Sequence, residues 1–521
     1  MSNITWVIVS FVIYAVVMIL IGAVFFKSSS NLSEYFLGGR RLNSWVAAMS
    51  AQASDMSGWL LMGLPGAVYA FGTGQLWIAV GLAIGTALNW IFVAKRLRRY
   101  TIASKNSITI PEYIENRFRD SSHILRIAAA LFITIFFAVY TASGFVAGGT
   151  LFSQIFGMDY NIALLIGVAI ILIYTFLGGF SAVCWTDLIQ GLLMLVAIVA
   201  VPIITLAALG GVGEISADSF VLLRFTGECV VQTNFLNPLD DGWGNRITAI
   251  SIISQLAWGL GYFGMPHILV RFMAIKSESA VKKSAIIAIV WVLFTLTFAV
   301  IVGIVGLAFT PNLENPETVF IQMIQGIFMN PGSGTYLPLL GGFFLCGILA
   351  AIMSTADSQL LVTASAITGD IYKSTTKKQR SDQHFVWVSR IAVVAIAVIA
   401  FIIALDRTSS VMSLVSNAWA GFGSAFGALI LLSLYWRRIN RAGAAAAIIA
   451  GGLTVIVWDY ISFGGSTIGS STGLYSLVPG FVLSLIFGIF ISLATKAPSE
   501  EITNEFDRVQ KPLESQHVKN S

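Results

Sequence analysis

The chain has 521 residues, of which 57% are hydrophobic and only 11% are charged. A typical soluble domain is about 25% charged, so a water-soluble protein of this length would lack the polar surface that it needs. The composition therefore excludes a soluble enzyme, a nucleic-acid-binding protein and a disordered scaffold, and it predicts a protein whose main solvent is the lipid bilayer.

The apolar residues are grouped into stretches long enough to span a membrane. A bilayer core of about 30 Å requires roughly 20 apolar residues in a helix. Thirteen stretches meet this requirement, and they run over residues 4–26, 45–70, 75–94, 127–156, 161–180, 188–209, 246–271, 284–309, 337–368, 386–405, 411–436, 443–463 and 473–495. The sequence thus predicts an all-α integral membrane protein with about 13 transmembrane helices.

The distribution of basic residues gives the orientation, because lysine and arginine accumulate on the cytoplasmic side of membrane proteins. When the loops alternate from an outside N-terminus, all but three of the 30 basic residues lie in inside loops or in the C-terminal segment. The exceptions are Arg224, Arg246 and Arg407. The pattern predicts a multi-pass protein of the plasma membrane, with its N-terminus outside and its C-terminus in the cytoplasm.

Little of the sequence lies outside the apolar stretches. Residues 1–496 are predicted to form a single transmembrane domain, and residues 497–521 a polar cytoplasmic tail. In the basic loop 95–126, residues 111–114 (PEYI) predict a short helix at the membrane interface. No cytoplasmic segment is long enough for a kinase, ATPase or cyclase domain, and no obligate protein partner is evident.

Two stretches contain clusters of glycine and proline at membrane depth. The second includes ASDMSGW at residues 53–59, and the seventh includes WGLGYFGMP at residues 258–266. Backbone inside a bilayer must be hydrogen-bonded within its helix unless it is buried in protein or lines a wet cavity, so both segments are candidates for interrupted helices. The alternative is that the glycines allow neighbouring helices to pack closely.

The two candidate breaks are five stretches apart, so their helices cross the membrane in opposite directions. Interrupted helices at corresponding positions of two inverted halves are typical of a secondary transporter's binding site. The division predicts one repeat at about 45–209, a second at about 246–436, and extra helices at 4–26, 443–463 and 473–495. Free N–H groups suit a carboxylate and free carbonyls suit a cation, so we expect an acidic substrate carried with a monovalent cation.

Ionisable groups inside a bilayer are costly and indicate function by default. Asp55 lies in the second stretch, and Asp357 lies in the ninth, just after Ser354 and Thr355. Asp55 and the two hydroxyls could supply cation ligands from two different helices. The alternative for the hydroxyls is a hydrogen bond to their own helix. Asp357 either supports the site from behind or faces an inner vestibule.

Asp187 is predicted at the inner end of the connection between the fifth and sixth stretches, the one inner loop without lysine or arginine. A carboxylate there could attract or gate cations, or it could be an ordinary acidic residue at a helix N-terminus. Residues 259–264 (GLGYFG) match a dinucleotide fingerprint, but that motif needs a preceding strand and a βαβ unit. No HExxH, Walker or Ser/His/Asp group occurs in a polar context, so the sequence predicts neither an enzyme nor a cofactor.

A set of short segments resembles the sodium:solute symporter family. They are YFLGGR (35–40), ASDMSGW (53–59), MGLPG (62–66), FVAG (145–148), WTD (185–187), WGLGYFG (258–264), PH (266–267), ILAAIMST (348–355) and NAWAGFG (417–423). The likeness runs from about residue 10 to 495. Each glycine motif alone is weak, but the combination is specific.

The resemblance implies a leucine-transporter-type fold with a 5+5 inverted repeat and two broken helices, and one-to-one sodium-coupled uptake of L-proline. Sodium is then a coupling ion and no cofactor is required. The implied sodium ligands are the carbonyls of Ala53, Met56 and Ala351 and the hydroxyls of Ser354 and Thr355, with Asp55 as the essential carboxylate. The positions that match proline binding are Ser57, Gly58, Tyr140, Trp258, Tyr262 and Pro266, and those that match coupling or sodium access are Arg40 and Asp187.

Near these positions, Met265 and Asp357 depart from the residues of the family. The alternatives within transporters are symporters of another small carboxylate or osmolyte, such as glycine betaine or pantothenate, which competition with proline uptake would separate. A membrane sensor with a symporter-like domain would need a cytoplasmic signalling domain, for which a tail of about 25 residues is too short. A channel would not need two broken helices of opposite direction.

Overall fold

The computed structural model of the protein describes residues 3–26, 32–177, 179–215, 221–223, 229–231, 234–330, 337–376 and 380–510. The first helices are α1 (Asn3–Phe26), α2 (Leu32–Leu37), α3 (Ser44–Asp55), α4 (Leu64–Phe71), α5 (Leu76–Leu88), α6 (Lys95–Ala103), α7 (Ile110–Phe118), α8 (Ile124–Phe156), α9 (Tyr160–Leu177) and α10 (Phe180–Ala208).

The remaining helices are α11 (Ala249–Leu256), α12 (Trp258–Gly261), α13 (Pro266–Ala274), α14 (Glu278–Phe309), α15 (Val319–Phe328), α16 (Leu337–Ser365), α17 (Lys373–Thr375), α18 (Asp382–Ala404), α19 (Val411–Phe422), α20 (Ala428–Tyr435), α21 (Arg441–Tyr460), α22 (Ile468–Thr472), α23 (Leu477–Ala494) and α24 (Glu500–Val509). Segments of π-helix connect helices into longer runs at Trp59–Gly63, Asn89–Ala94, Ala366–Tyr372 and Gly423–Gly427. Short 3₁₀ turns are Gly38–Arg40, Gly72–Gln75, Val212–Glu214, Tyr262–Gly264 and Pro316–Thr318.

Two small antiparallel hairpins complete the described structure. Strand β1 (Val221–Leu223) pairs with β2 (Cys229–Val231), with Val221 opposite Val231. Strand β3 (Ser462–Phe463) pairs with β4 (Ser466–Thr467). The first hairpin lies between α10 and α11, and the second lies between α21 and α22.

Ten helical runs in the described part of the chain are long and apolar enough to cross a membrane. One of them, Trp59–Ala103, contains the end of the second predicted stretch and all of the third. The fifth predicted stretch corresponds to the shorter apolar helix α9, and the seventh is divided by a break. The predicted apolar stretches are therefore helical, whereas the number of membrane crossings stays a prediction.

Both predicted helix interruptions are present. Helix α3 ends at Asp55, and Met56 leaves the helical conformation with φ −83° and ψ 73°. In the second interruption, α12 and a 3₁₀ turn end at Gly264, Met265 is extended with ψ 104°, and Pro266 begins α13. Proline is suited to a first helical position because the N–H that it lacks would have no partner within the helix.

Close packing, the alternative reading of the glycines, also holds at the second break. A Cβ atom built on Gly259 would collide with the backbone of Gly81, and one built on Gly85 would collide with the backbone of Gly259. Only residues without a side chain permit this approach of α12 to α5. The glycines of α12 therefore serve packing, while the break follows at Met265.

We expect Gly259→Ala to destabilise the folded protein, because the added methyl meets backbone that cannot rotate away. Overpacking of this kind costs about 1–3 kcal/mol, and backbone contacts place it at the upper end of that range. The apparent melting temperature of the purified protein in detergent measures the effect. Gly148→Ala is the matched control, since a Cβ there has open space around it. Equal melting temperatures for the two variants would contradict the packing argument.

The two ends of the helix bundle differ in charge and contacts. Helices α6, α7 and α24 and the end of α13 lie together at one end, which we name the basic face. There Arg98 donates to the carbonyls of Ile275 and Lys276. The opposite face is the end that carries residues 234–248, 310–318 and 405–410. At that face, Tyr69 donates to the Thr310 carbonyl over 2.8 Å.

Helix α24 lies on the basic face, where the sequence predicted only a polar tail. Its side chains Ile502, Phe506 and Val509 are buried, and Glu505 accepts hydrogen bonds from Ser104 and Arg119. The segment is an amphipathic helix, with an apolar side that packs on the bundle and charged residues on its other side. Residues 511–521 of the predicted tail lie outside the described residues.

Candidate functional site

The first break meets the middle of α16 at a cluster of buried oxygen atoms. The Ser354 hydroxyl donates to the carbonyl of Ala53 over 2.8 Å, and the Thr355 hydroxyl lies 3.5 Å from the same carbonyl. Ser354 also reaches the Ala351 carbonyl at 3.2 Å. All of these residues are buried. Two helices thus bring four of the predicted sodium ligands together, and such oxygens suit a hard monovalent cation.

Met56, the fifth predicted ligand, is the residue at which the chain leaves α3. Its side chain points to α14, where the sulfur accepts hydrogen bonds from Trp291 at 3.2 Å and Thr295 at 3.3 Å. These contacts fix the conformation of the break. The backbone of Met56 is therefore held beside the end of α3, in the part of the chain that also carries the Ala53 carbonyl.

The Asp55 carboxylate connects the two broken helices. One of its oxygens accepts a hydrogen bond from the Tyr262 hydroxyl over 2.6 Å, and the other is buried without a partner among the described residues. The Asp55 carbonyl accepts from Trp59 at 3.0 Å and from Tyr140 at 3.4 Å. The sequence predicts that Asp55 lies with Ser354 and Thr355, whereas in the structure its side chain pairs with Tyr262, a residue predicted to bind substrate.

Two of the three predicted aromatic residues, Trp258 and Tyr262, form one layer with two that were not predicted, Trp419 and Tyr475. Trp258 stacks between Trp419 and Tyr475, with ring centroids 6.2 Å and 5.5 Å apart. Tyr262 packs edge-on against Trp419 at 5.0 Å. The Trp419 indole N–H donates to the Trp258 carbonyl over 2.7 Å. The layer offers flat apolar area close to the Asp55 carboxylate.

Ser57 and Gly58 lie in the gap of the first broken helix. The backbone N–H of Trp59 donates weakly to the Ser57 hydroxyl at 3.4 Å. A Cβ on Gly58 would stand 2.8 Å from Ala147 of α8, so the absence of a side chain allows α8 to approach the break. Pro266 begins the helix after the second break. The predicted substrate residues therefore come from α8 and from both breaks.

Asn89 supports the second break and was not found by the sequence analysis. It is buried in the π-helical segment after α5, and its side-chain amide donates to the Tyr262 carbonyl over 2.9 Å. This bond satisfies an acceptor that the break leaves outside regular helix. The feature of the sequence that could have indicated its role is that it is a single asparagine inside an apolar stretch.

Asp187 is buried in a polar network, which corrects its predicted position in a connecting loop. Helix α10 begins at Phe180, so Asp187 lies in its second turn. The carboxylate accepts from Ser50 at 2.6 Å and from Arg271 at 3.2 Å. Arg271 also donates to Ser358 at 2.5 Å. The guanidinium of Arg271, on α13, thus pairs with Asp187. Asp187 lies inside α10, so it is not an acidic residue at the helix N-terminus.

Asp357 lies beside this network on α16 and is fully buried. Its carboxylate accepts from Ser358 at 3.4 Å, so of the two predicted roles the structure favours support from behind the site over exposure to a vestibule. Met265, the other departure from the family, is also buried and provides the carbonyl that Ile268 and Leu269 bond at the start of α13.

Arg40 lies on the basic face, away from the breaks. Its guanidinium donates to the carbonyls of Met273 at 2.6 Å and Ser107 at 2.7 Å, and to the Asn106 side chain at 3.0 Å. Burial lowers the pKa of Arg40 to about 10, so it remains a cation at neutral pH. It connects the segment before α3 with the ends of α6 and α13.

The opposite face opens towards the aromatic layer. A cavity of about 700 Å³ is lined by Gly63, Gly66, Gln255, Trp258, Glu317 and Tyr475, among others. The carboxylate of Glu317 accepts hydrogen bonds from the backbone N–H groups of Val411 and Met412, at 3.0 Å and 2.9 Å. Burial raises the pKa of Glu317. The cavity thus reaches both broken helices from this face.

The model of the sodium:solute symporter family matches residues 35–451, a range that includes both breaks. The chain belongs to this family. It is 45% identical over 513 residues to the osmoregulated proline transporter OpuE of Bacillus subtilis (strain 168), with 97% of this chain and 98% of that protein covered. It is 42% identical over 506 residues to the sodium/proline symporter of Staphylococcus aureus (strain JH9), with 96% and 94% covered.

Solved structures show the fold of this family member. A Na⁺-coupled sialic acid symporter in a substrate-bound outward-open state matches with a TM-score of 0.76 at 20% identity, over 95% of this chain and 99% of that one. MhsT in complex with L-phenylalanine matches with a TM-score of 0.52 at 15% identity, over 87% and 98%. The predicted fold class, a helical membrane protein of the leucine-transporter type, is confirmed.

Proposed function

We propose that this transporter imports L-proline together with sodium by alternating access. The observation that carries the proposal is the meeting of Ser354 and Thr355 with the Ala53 carbonyl at the end of a broken helix. Relatives that match almost the whole chain are named as proline transporters and a sodium/proline symporter. The function is transport without covalent chemistry, and sodium is a transported co-substrate.

In this proposal sodium binds between α3 and α16. The ligands are the carbonyls of Ala53, Met56 and Ala351 and the hydroxyls of Ser354 and Thr355. The hydroxyls now donate to carbonyls of the same cluster, so each must rotate its proton away when the ion arrives. Sodium binding then fixes the distance between α3 and α16 and holds the break in one conformation.

Proline binds beside the sodium site, in contact with both breaks. Its carboxylate meets free backbone N–H groups near Ser57 and Gly58, where the positive end of a helix dipole favours an anion. Its apolar ring lies against Tyr140, Trp258 or Tyr262, close to Pro266. The aromatic side chains supply apolar area without adding a charge.

The bond from Tyr262 to Asp55 couples the two sites. Asp55 belongs to the helix that supplies the Ala53 carbonyl, and Tyr262 belongs to the aromatic layer. A cation near Asp55 and a substrate against Tyr262 therefore bias the same hydrogen bond. Coupling between two binding sites is reciprocal, so proline should tighten sodium binding as much as sodium tightens proline binding.

Orientation and repeats follow from the same proposal. The basic face is cytoplasmic, which leaves the N-terminus outside, and the large cavity opens to the exterior. The repeats are about 45–209 and 246–436, within a single transmembrane domain of residues 1–496 in the plasma membrane. The mechanism requires a lipid bilayer and no protein partner.

We expect an inward sodium gradient to drive concentrative uptake of radiolabelled proline into proteoliposomes. A charge that moves down 100 mV gains about 2.3 kcal/mol. Because 1.4 kcal/mol is a factor of ten, voltage alone sustains roughly a fiftyfold gradient of proline. Equal uptake with a potassium or proton gradient would contradict the ion assignment. Stronger competition by glycine betaine or pantothenate than by proline would contradict the substrate.

A further inference from the structure

A cavity of about 610 Å³ opens at the basic face, on the side of the bundle that α8 and α21 form. Its lining comes from the end of α7, the starts of α8 and α21, and residues 495–499, which connect α23 to α24. None of its described lining residues belongs to the proposed sodium or proline site. Because apolar helices begin or end here, the cavity lies at the level of the lipid headgroups on this side of the bilayer.

The lining of this cavity is positively charged. Its charged residues are Arg119, Arg441 and Lys496, and the described lining includes no aspartate or glutamate. The side chains of Arg441 and Lys496 are exposed. Arg441 lies 3.4 Å from Asp120, whereas no carboxylate of the described residues forms an ion pair with Lys496. The mouth of the cavity therefore carries positive charge that the described residues do not neutralise.

Arg438 adds an unused donor beside the cavity. Its guanidinium donates to the carbonyl of Thr495, a lining residue, over 2.9 Å. Its other terminal nitrogen is buried and has no partner among the described residues. Buried donors normally have an acceptor, so this one favours an additional ligand. Arg119, by contrast, is already paired with Glu501 and Glu505. The unsatisfied positive charge is thus on the side of α21 and the end of α23.

Two apolar stripes lead from the cavity towards the middle of the bilayer. On α21, Leu453 is exposed and lies eight residues, or slightly more than two turns, after Ala445 of the lining. On α8, Ile124 of the lining and Leu131 are exposed on one face. The two helices are neighbours, since a Cβ built on Gly452 would meet an aromatic ring of α8. Apolar surface therefore continues from the basic pocket into the bilayer.

The length of the stripe on α21 fits one leaflet. Leu453 lies about 18 Å along the helix from Arg441, the first residue of α21. Half of a bilayer core is about 15 Å. An acyl chain that begins at the cavity would therefore follow α21 to the middle of the membrane.

We propose that this cavity binds an anionic phospholipid, with the phosphate at Arg441 and Lys496 and the acyl chains along α21 and α8. Basic pockets between membrane helices on the cytoplasmic side suit such headgroups. The apolar stripes favour a phospholipid over free phosphate, since a phosphate ion has nothing to place on them. The inference goes beyond the proposed transport, because it assigns a lipid ligand to a part of the chain that binds neither sodium nor proline.

Titration of the purified full-length protein with phosphatidylglycerol in detergent tests the site. Native mass spectrometry measures the fraction of protein that carries one lipid. We expect the parent to retain phosphatidylglycerol in preference to phosphatidylcholine. The double variant Arg441→Gln/Lys496→Gln should need about 25-fold more phosphatidylglycerol for half-occupancy, because each basic residue near an anionic headgroup contributes about fivefold.

Lys282→Gln/Lys283→Gln is the matched control. It removes the same charge from two exposed residues near the start of α14, outside the lining of the cavity. Its half-occupancy should equal that of the parent. An equal loss of binding in both double variants would show general attraction to the basic face and would overturn the site. If the first double variant is poorly folded, Lys496→Gln alone should raise the half-occupancy about fivefold.

The melting temperature distinguishes the lipid from a free anion. A ligand that binds only the folded protein raises its melting temperature, so phosphatidylglycerol should stabilise the parent and not Arg441→Gln/Lys496→Gln. Inorganic phosphate should have no such effect. If inorganic phosphate stabilises the parent and phosphatidylglycerol adds nothing further, the cavity is a phosphate site and the lipid assignment fails. Equal retention of phosphatidylcholine by the parent would likewise overturn recognition of an anionic headgroup.

Discussion

Replacement of Asp55 with asparagine is expected to abolish most of the sodium-driven proline uptake, with a loss of roughly 10- to 150-fold. Asparagine keeps the size of the side chain and can still accept a hydrogen bond from Tyr262, so the variant removes the charge selectively. A hydrogen bond to a charged group contributes about 1.5–3 kcal/mol, which corresponds to roughly 10- to 150-fold. Initial rates of uptake and the half-saturating sodium concentration measure the loss.

Tyr262→Phe separates the charge of Asp55 from its bond to the second break. It leaves the carboxylate and the ring in place and removes only the hydroxyl. We expect proline and sodium to lose their mutual effect on affinity, while residual sodium binding persists.

Asp159→Asn is the control for Asp55→Asn, because the pair of Asp159 with Arg407 is exposed on the opposite face. Sodium affinity unchanged in Asp55→Asn would show that Asp55 has no part in ion coupling.

The second large effect is expected from the hydroxyls of α16. Ser354→Ala and Thr355→Ala each remove one proposed sodium ligand, and we expect each to raise the half-saturating sodium concentration about tenfold. Maximal uptake at saturating sodium should fall much less, because the substrate site keeps its residues. The double variant should approach 100-fold if the two ligands act independently.

Thr363→Ala is the matched variant for this series. Thr363 is buried on the same helix, and its hydroxyl donates to the Gln359 carbonyl one turn earlier, away from the break. Its removal should leave the sodium dependence unchanged. A tenfold shift in Thr363→Ala as well would mean that any change in α16 weakens sodium binding, and the assignment of Ser354 and Thr355 as ligands would fail.

The breaks could be predicted from the sequence because their cause is local. Glycine and proline lower the stability of a helix, and they occur in clusters at residues 53–66 and 258–266. The bond between Asp55 and Tyr262 could not be predicted in the same way, since 207 residues separate its partners and their contact depends on how the two helices cross. The places of Trp419 and Tyr475 in the aromatic layer could not be predicted for the same reason.

The error at Asp187 has a different origin. The sequence prediction begins the sixth stretch at residue 188, because residues 180–187 (FSAVCWTD) are less apolar than those that follow. Hydropathy measures the cost of lipid contact, but this first part of α10 faces protein. Ser50 and Arg271 supply partners that a one-dimensional profile cannot see. Helix α24 was missed because only its buried stripe, and no apolar run, identifies it.

The contacts of α24 impose an order on the making of this protein. Arg99 donates to the carbonyl of Val509 across 410 residues of chain, and Ser104 reaches Glu505 across 401. A ribosome must therefore add about 400 residues after α6 before α6 and α7 acquire their cover. Until then, buried arginines such as Arg117, whose guanidinium lies over the Phe506 ring, remain open to water. Closure of the basic face is thus a late step in biogenesis, and chains that stop before residue 500 would insert their helices without ever reaching it.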